Sequence, residues 1–265
     1  GAAYAVSIPL STPADEALRD LCRCREDARE DLLRARQRLD KFLLRRGCRY
    51  TVGKRVWGKL HRQWLKDLKF EYAADQVTLE DYLTVIDQQE ERLRSLDQQL
   101  AVHAEQDPYR EPVGWLRCFR GIDTVTAIAL VAELHDFRRF ETARALMAYL
   151  GLVPSESSSG ERQRRGAITK AGNVHVRRLL IEAAWHYRHR PRTGLGLRRR
   201  RTNQPSGIIA IADRAQQRLC RRFRDLTNRS KPSHKAVVAV ARELIGFVWA
   251  ALYPATLGQP ARDRS

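Results

Sequence analysis

Between Pro13 and Arg46 the apolar residues Leu18, Leu21, Ala28, Leu32, Ala35, Leu39 and Phe42 recur at alternating gaps of three and four, interrupted only by Arg25. That spacing places them on one stripe of a helix and is the heptad pattern of a coiled-coil seam. Ser11 or Thr12 can cap the start with Pro13 just inside, and Gly47 stops the far end. A second seam, Tyr82, Ile86, Leu93, Leu96, Leu100 and His103 with Gln89 in register, runs between Thr78 and Gln106. A shorter basic amphipathic segment separates the two and carries Trp57, Leu60, Trp64, Leu65 and Leu68. The pattern predicts an antiparallel coiled coil or a dimer stalk whose arms reach roughly 45 Å at about 1.5 Å per residue.

Asp107-Pro-Tyr-Arg-Glu-Pro112 marks a boundary, and beyond it the texture changes. Leu116 to Gly121 reads as the end of a helix, Gly121-Ile122-Asp123 as a tight turn, and Thr124 to Leu134 as an apolar helix. This is the pattern of a helix-hairpin-helix motif, in which glycine lets the turn approach DNA and the next helix offers its first amides to a phosphate. An ordinary helical hairpin has the same pattern. A short helix is predicted over Phe140 to Leu150. A longer one is predicted over Ala171 to Arg188, with Val174, Leu179, Ile181, Ala184 and Trp185 on its apolar face. Arg188 to Gln204 is a basic connection whose run Arg198 to Arg201 suits contact with nucleic acid. Helices over Ser206 to Asn228 and Pro232 to Tyr253 close the core. The expected fold is mainly α: a long antiparallel coiled-coil region followed by a compact helical domain with a helix-hairpin-helix-like motif. The expected divisions are a linker over 1–12, the helical region over 13–106, a serine-bearing domain over 113–253 and a tail over 254–265.

Charge narrows the partners. Forty-nine Lys and Arg against 31 Asp and Glu give the 265-residue chain a net charge of +18, which calls for a polyanion. The excess is mostly arginine, the residue suited to bidentate phosphate contacts. With no long apolar run or amphipathic anchor read from the pattern, a membrane partner is not expected. The first ten residues lack a basic leader, so a cytoplasmic protein is expected. Cys22, Cys24, Cys48, Cys118 and Cys220 contain no paired CxxC motifs and are expected to be free thiols.

The candidate chemistry lies in Gly151-Leu-Val-Pro-Ser-Glu-Ser-Ser-Ser-Gly160 and the cations that follow it. A serine that attacks phosphorus needs an accessible hydroxyl, cations for the phosphoryl oxygens and a route for its proton. Ser155, Ser157, Ser158 and Ser159 supply hydroxyls between glycines. Arg162, Arg164, Arg165, Lys170, Arg177 and Arg178 supply cations, with His175 close by. The segment reads as a loop, and the helix that follows it would add partial positive charge at its start. A Ser/Gly/Arg-rich stretch also suits a plain connector. Glu182, His186 and His189 share a helix face but lack a clear fourth metal ligand, so no metal site is expected there. No GxxxxGK[ST] loop is present.

Six segments together carry a resemblance: Gly121-Ile-Asp-Thr-Val-Thr-Ala, Phe137-Arg-Arg-Phe140, Tyr149-Leu-Gly-Leu-Val-Pro154, the serine segment, Ile168-Thr-Lys-Ala-Gly-Asn173 and Arg177-Arg-Leu-Leu180. The chain closely resembles insertion-sequence transposases of the IS-one-ten type, the DEDD transposases viewed as bridge-RNA-guided recombinases. Pro13 to Leu21 resembles the start of that family's helical region. The resemblance implies a DNA recombinase whose active site has two parts. A RuvC-like domain supplies four acidic metal ligands, and the second part supplies a serine that becomes linked to DNA. It assigns the nucleophile to the serine before the Ser-Gly glycine, here Ser159, with Ser158 as runner-up. It also implies DNA and a guide RNA as partners, and a homo-oligomer assembled through the coiled coil. Ahead of Pro13 stands no acidic set of the RuvC-like kind. On that reading no cofactor belongs to this chain, Mg²⁺ is expected in the missing domain, and the chain binds nucleic acid without cleaving it alone.

Overall fold

The structure, a computed structural model, describes residues 12–159 and 162–257, and of 156–165 and 254–257 the backbone alone. The chain divides into two compact units, Leu21–Gln99 and Gly1–Asp20 with Leu100–Ser265. Helices α1 (Pro13–Arg45) and α3 (Ala73–Ala104) each run from one unit into the other, so the division falls inside helices and not at the prolines of 107–112.

Helix α1 starts on a reciprocal cap: the Asp15 amide donates to Thr12 Oγ1 at 3.2 Å and the Thr12 amide donates to Asp15 Oδ2 at 3.1 Å. It stops at Gly47, whose φ of 69° lets the Cys48 amide reach back to the Leu43 carbonyl at 2.9 Å and the Gly47 amide to that of Leu44 at 3.1 Å. Within the Leu21–Gln99 unit α1 and α3 run antiparallel, as ion pairs from Arg25 to Asp97, Arg36 to Glu90 and Arg46 to Asp75 show. Leu32, Ala35, Leu39 and Phe42 bury against Leu79 and Ile86, and α2 (Lys59–Asp67) adds Leu65 to the same core. The seam seen in the sequence is therefore covered by the chain's own helices. The charged pairs flanking it are part exposed and contribute at most about 1 kcal/mol each.

In the other unit α4 (Arg110–Leu116) and α5 (Thr124–Leu134) pack together, and α5 is buried from Ala127 to Leu134. The pattern had carried the first of these helices to Gly121; the chain instead leaves it at Leu116 and turns. Helix α6 (Ala143–Tyr149) leads into strands β1 (Pro154–Ser159) and β2 (Arg162–Ile168), followed by α7 (Val174–Ala184) and a 3-10 turn over Trp185–Arg188. Helices α8 (Leu195–Arg201), α9 (Ser206–Asn228) and α10 (Ser233–Leu257) complete it. Helix α10 packs on α4, α6, α7 and α9, burying Val237, Val240, Ala241, Leu244, Ile245 and Val248. Its segment Ser233–Tyr253 is long and apolar enough to cross a membrane by composition, which corrects the reading that no long apolar run exists. Half of it is buried inside this unit, which accounts for the apolarity as core.

Three expectations change. The serine stretch is a two-stranded antiparallel hairpin and not a loop. The helix expected from Ala171 begins at Val174 and tightens to 3-10 at Trp185. The arginine run is helix α8 and not a connection, and its Arg201 is buried, with Nε donating to the Cys118 carbonyl at 3.0 Å and Nη1 to Asp213 at 2.7 Å.

Leu39 has no exposed surface, so Leu39→Ala should cost about 2–5 kcal/mol from lost transfer energy and the cavity left behind. Arg34→Ala, which removes only exposed pairs with Glu30 and Asp31, should cost less than about 1 kcal/mol. Thermal unfolding followed by circular dichroism checks both. Equal destabilisation would contradict the assigned core.

Candidate functional site: a serine hairpin and an arginine-lined surface

The hairpin rises from a base in which backbone touches backbone. Gly151 and Gly172 have φ of 62° and 77°. A Cβ on Gly172 would lie 1.8 Å from the Tyr149 carbonyl oxygen, and one on Gly151 would lie 2.2 Å from that of Ala171. No side chain fits at either position. The Thr169 amide donates to the Val153 carbonyl at 3.0 Å and the Lys170 amide to Gly151 at 3.1 Å, closing the strands at their root. Arg177 sits beneath this crossing. Its Nη1 donates to the carbonyls of Leu150 at 2.9 Å and Ala171 at 3.0 Å, on either side of the hairpin.

Asn173 caps α7 by accepting from the Val176 amide at 3.0 Å, and its Nδ2 donates to Glu133 Oε2 at 2.6 Å. Glu133 is a buried carboxylate on the apolar helix α5. It ties the start of α7 to the core, a role that nothing in its apolar sequence surroundings announces. The hairpin is thus fixed by two glycines, one buried arginine and one buried carboxylate.

Along the hairpin the register pairs Ser159 with Arg162, Ser158 with Gln163, Ser157 with Arg164 and Glu156 with Arg165. Ser155 Oγ donates to the Ala167 carbonyl at 3.0 Å, so this hydroxyl is engaged within the hairpin. Lys170 is exposed with φ of 57° at the end of β2. His175 and Arg178 share the first turns of α7, their nitrogens 3.5 Å apart, and Arg178 Nη1 bonds Glu182 at 2.7 Å. The structure therefore gathers Lys170, His175 and Arg178 near the root of the hairpin. Arg177 is 7% exposed and holds protein carbonyls, which corrects its assignment as an outward phosphate ligand.

Gly121 lies elsewhere, at the far end of α7. Its φ is 85°, and a Cβ there would meet the Ala183 carbonyl oxygen at 2.4 Å. Close packing on α7 thus explains this glycine without a nucleic acid. Asp123 caps α5 by accepting from the Thr126 amide at 2.9 Å. Beside the turn, Arg120, His186, Arg192 and Arg200 line a pocket of about 410 Å³. Burial, reinforced by Arg120, Arg188, His189 and Arg200, holds the His186 imidazole below its usual pKa. A second pocket of about 500 Å³ is lined by Arg188, Arg190, Arg221 and Arg224. Of these arginines only Arg200, in the run 198–201, is read from the sequence as suited to nucleic-acid contact. The signal was present in Arg214, Arg218, Arg221, Arg222 and Arg224, whose spacing along α9 sets a basic stripe on a helix read only as core.

Among the described residues no group of three or more His, Cys, Asp and Glu side chains stands together, and Glu182 is already paired with Arg178. The described residues do not fit a Mg²⁺ centre, and no chemical step here passes through one.

The hairpin sequence thus sets serines on one strand across from arginines on the other. Comparison with known proteins places this segment beside a described family. Residues 115–195, which hold the hairpin and α7, match the family described as Transposase IS116/IS110/IS902. The chain is similar to the putative transposase y4qE of Sinorhizobium fredii (strain NBRC 101917 / NGR234), with 40% identity over 89% of this chain and 57% of that protein. It is likewise similar to the transposase for insertion sequence element IS1533 of Leptospira borgpetersenii, with 37% identity over 82% of this chain and 63% of the relative. A shorter stretch, 24% of this chain and 18% of the relative, is 41% identical to the transposase for insertion sequence element IS1111A of Coxiella burnetii. The family match is thus confined to 115–195, while the likeness to the first two relatives extends over most of the chain. The chain spans 57% and 63% of the lengths of the first two relatives.

Gly172→Ala should destabilise this unit by about 2 kcal/mol or more, because both the positive φ and the Tyr149 carbonyl oppose a Cβ. Asn173→Ala should cost about 1 kcal/mol for the lost cap. Hydrogen exchange resolves the consequence: amides of β1 and β2 should lose protection before those of α10. Unaltered protection in Gly172→Ala would contradict the packed base.

Proposed function

We propose that the chain is the serine-bearing portion of a DNA transposase, and that Ser159 is its nucleophile. In the step assigned to it, Ser159 Oγ forms a bond to a DNA phosphorus and the bond from that phosphorus to one strand's oxygen breaks. The serine proton passes to a base and the departing oxygen acquires a proton. Reversal onto a second strand's hydroxyl completes the exchange. The family resemblance singles out Ser159, and the observation that favours it over Ser158 is the register. Ser159 stands across from Arg162 and Ser157 across from Arg164, whereas Ser158 stands across from the uncharged Gln163. An arginine opposite the attacking residue would supply a cation for the phosphoryl oxygens as charge develops. Lys170, at the end of the same strand pair, adds a point charge, and His175 is the nearest imidazole in sequence to accept the proton.

Charge distribution supports nucleic acid as the partner. The Leu21–Gln99 unit carries 18 Lys and Arg against 14 Asp and Glu, while the rest of the chain carries 31 against 17. The excess is concentrated with the hairpin. In this reading a guide RNA shares the basic surface, and the carboxylates that bind Mg²⁺ come from outside the described residues. Assembly with a second copy through the helical arm engages the arm's outer surface, because the seam is covered within the chain.

A second reading, a nucleic-acid-binding and oligomerisation module without chemistry, draws on the same arginine-lined pockets. A suicide DNA substrate separates the two, with a RuvC-like domain of the family and Mg²⁺ supplied. Ser159→Ala should lower covalent protein–DNA product at least 100-fold, with DNA affinity within about threefold of the parent, and Ser158→Ala should retain most of the product. Undiminished product from Ser159→Ala removes the assignment. Absence of product from every variant and from the parent favours the binding module.

A further inference from the structure

Two arginine-lined pockets lie at the end of α7 remote from the hairpin, and one residue joins them. Arg120 lines the pocket at the Gly121 turn, and its Nη1 donates to the Arg190 carbonyl at 2.8 Å. Its positive charge also acts on the Cys220 thiol. Arg190 and Cys220 both line the second pocket, so the two cavities share a wall. From one to the other run Arg192, Arg120, Arg190, Arg188, Arg221 and Arg224.

Carboxylates are scarce along this path. None lines the second pocket, and the one lining the first is Asp123, whose Oδ1 accepts the helix-capping amide bond. The larger pocket along α9, about 660 Å³, differs in this respect. It is lined by Asp213 and Asp225 as well as arginines, and its Arg218 and Arg222 are bonded to Glu243. Its charge is compensated internally. The smaller pair is less compensated: Arg192, Arg221 and Arg224 are exposed and no ion pair is seen for them among the described residues, although Arg221 also borders the larger pocket with its two aspartates. Arg200, half-buried in the first pocket, holds the Ile122 carbonyl through Nη1 at 2.7 Å, while its buried Nε has no protein partner.

Gathering guanidinium groups without carboxylates costs self-repulsion that only an anion relieves. Several phosphates in a row suit two adjoining pockets better than one isolated ion, because each pocket has its own set of cations. We infer that the joined pockets form a groove that holds consecutive backbone phosphates of a nucleic-acid strand. This rests on the transposase reading for the nature of the strand and extends it to a site separate from the serine hairpin. The first pocket adjoins Ala183 and His186, at the end of α7 opposite the hairpin root. The helix between them is 11 residues, about 16 Å at 1.5 Å per residue. That reach corresponds to roughly five nucleotide steps at 3.4 Å. A strand held in the groove can thus be anchored several nucleotides from the root of the hairpin. Contacts of this kind position without reading sequence.

The test is salt-dependent binding of labelled 20-nucleotide DNA, as single strand and duplex, and of RNA of the same length, to the full chain. The groove variant combines Arg192→Glu, Arg221→Glu and Arg224→Glu. A control with the same change in net charge combines Lys41→Glu, Arg45→Glu and Lys54→Glu, all exposed in the other unit. The groove variant should weaken binding by at least tenfold and lower the slope of log K against log salt by about two to three. The control should change affinity less than threefold. A loss on DNA identifies the strand as DNA, and a loss confined to RNA identifies it as RNA; either supports the groove. Equal losses in groove and control variants, or unchanged slopes in both, overturn it. The milder set Arg192→Gln, Arg221→Gln and Arg224→Gln guards against misfolding and should lower the slope by a similar amount. Covalent product from the suicide substrate is scored separately. A groove variant that binds like the parent while Ser159→Ala abolishes product refutes the groove and leaves the serine assignment standing.

Discussion

Everything proposed for the serine hairpin depends on the backbone crossing at its root. Tyr149 to Gly151 and Ala171 to Gly172 approach so closely that neither glycine tolerates a Cβ, and both adopt positive φ to make the approach. A two-stranded hairpin is marginal on its own. Here Arg177 Nη1 bridges carbonyls on both sides of the crossing, and Asn173 fastens the start of α7 to the buried Glu133. The consequence is a strand pair of low intrinsic stability held by a root of high stability. A nucleophile on such an element can be placed by the core yet stand clear of it.

The arginines of this chain divide by what their hydrogen bonds already hold. Arg177, Arg200 and Arg201 spend theirs on protein carbonyls, and Arg201 also on Asp213. In the helical arm Arg25, Arg36, Arg46 and Arg62 pair with carboxylates. Net charge alone would treat all of them as available to a polyanion. The arginines proposed to line the groove differ because no ion pair engages Arg192, Arg221 or Arg224 among the described residues, which is a property of placement and not of composition.

Much of the fold could be read from periodicity. The seam through Leu32, Leu39 and Phe42 and the one through Ile86 are buried against each other as their spacing required. Local composition misled where tertiary context decides. The serine stretch has the makeup of a loop, and only pairing with Arg162 to Ile168 turns it into a strand. The arginine run at 198–201 was read as a connection because charge was weighed above helical periodicity. Of the candidate site, the serine stretch and its neighbouring cations stand out in the sequence because the proposed chemistry needs those residue types close together, while the choice of Ser159 comes from the family resemblance. Glu133 and Arg120 do not stand out, since their roles arise from partners 40 and 70 residues away.

The central claim is that one serine of this hairpin becomes joined to DNA, and mapping the joined residue tests it most directly. Covalent product from the suicide substrate, digested with trypsin and nuclease, is fragmented by mass spectrometry to locate the nucleotide adduct. The account predicts a nucleotide mass on Ser159 and an unmodified Ser158. An adduct on another residue, such as the exposed Tyr149 at the hairpin root, would contradict it.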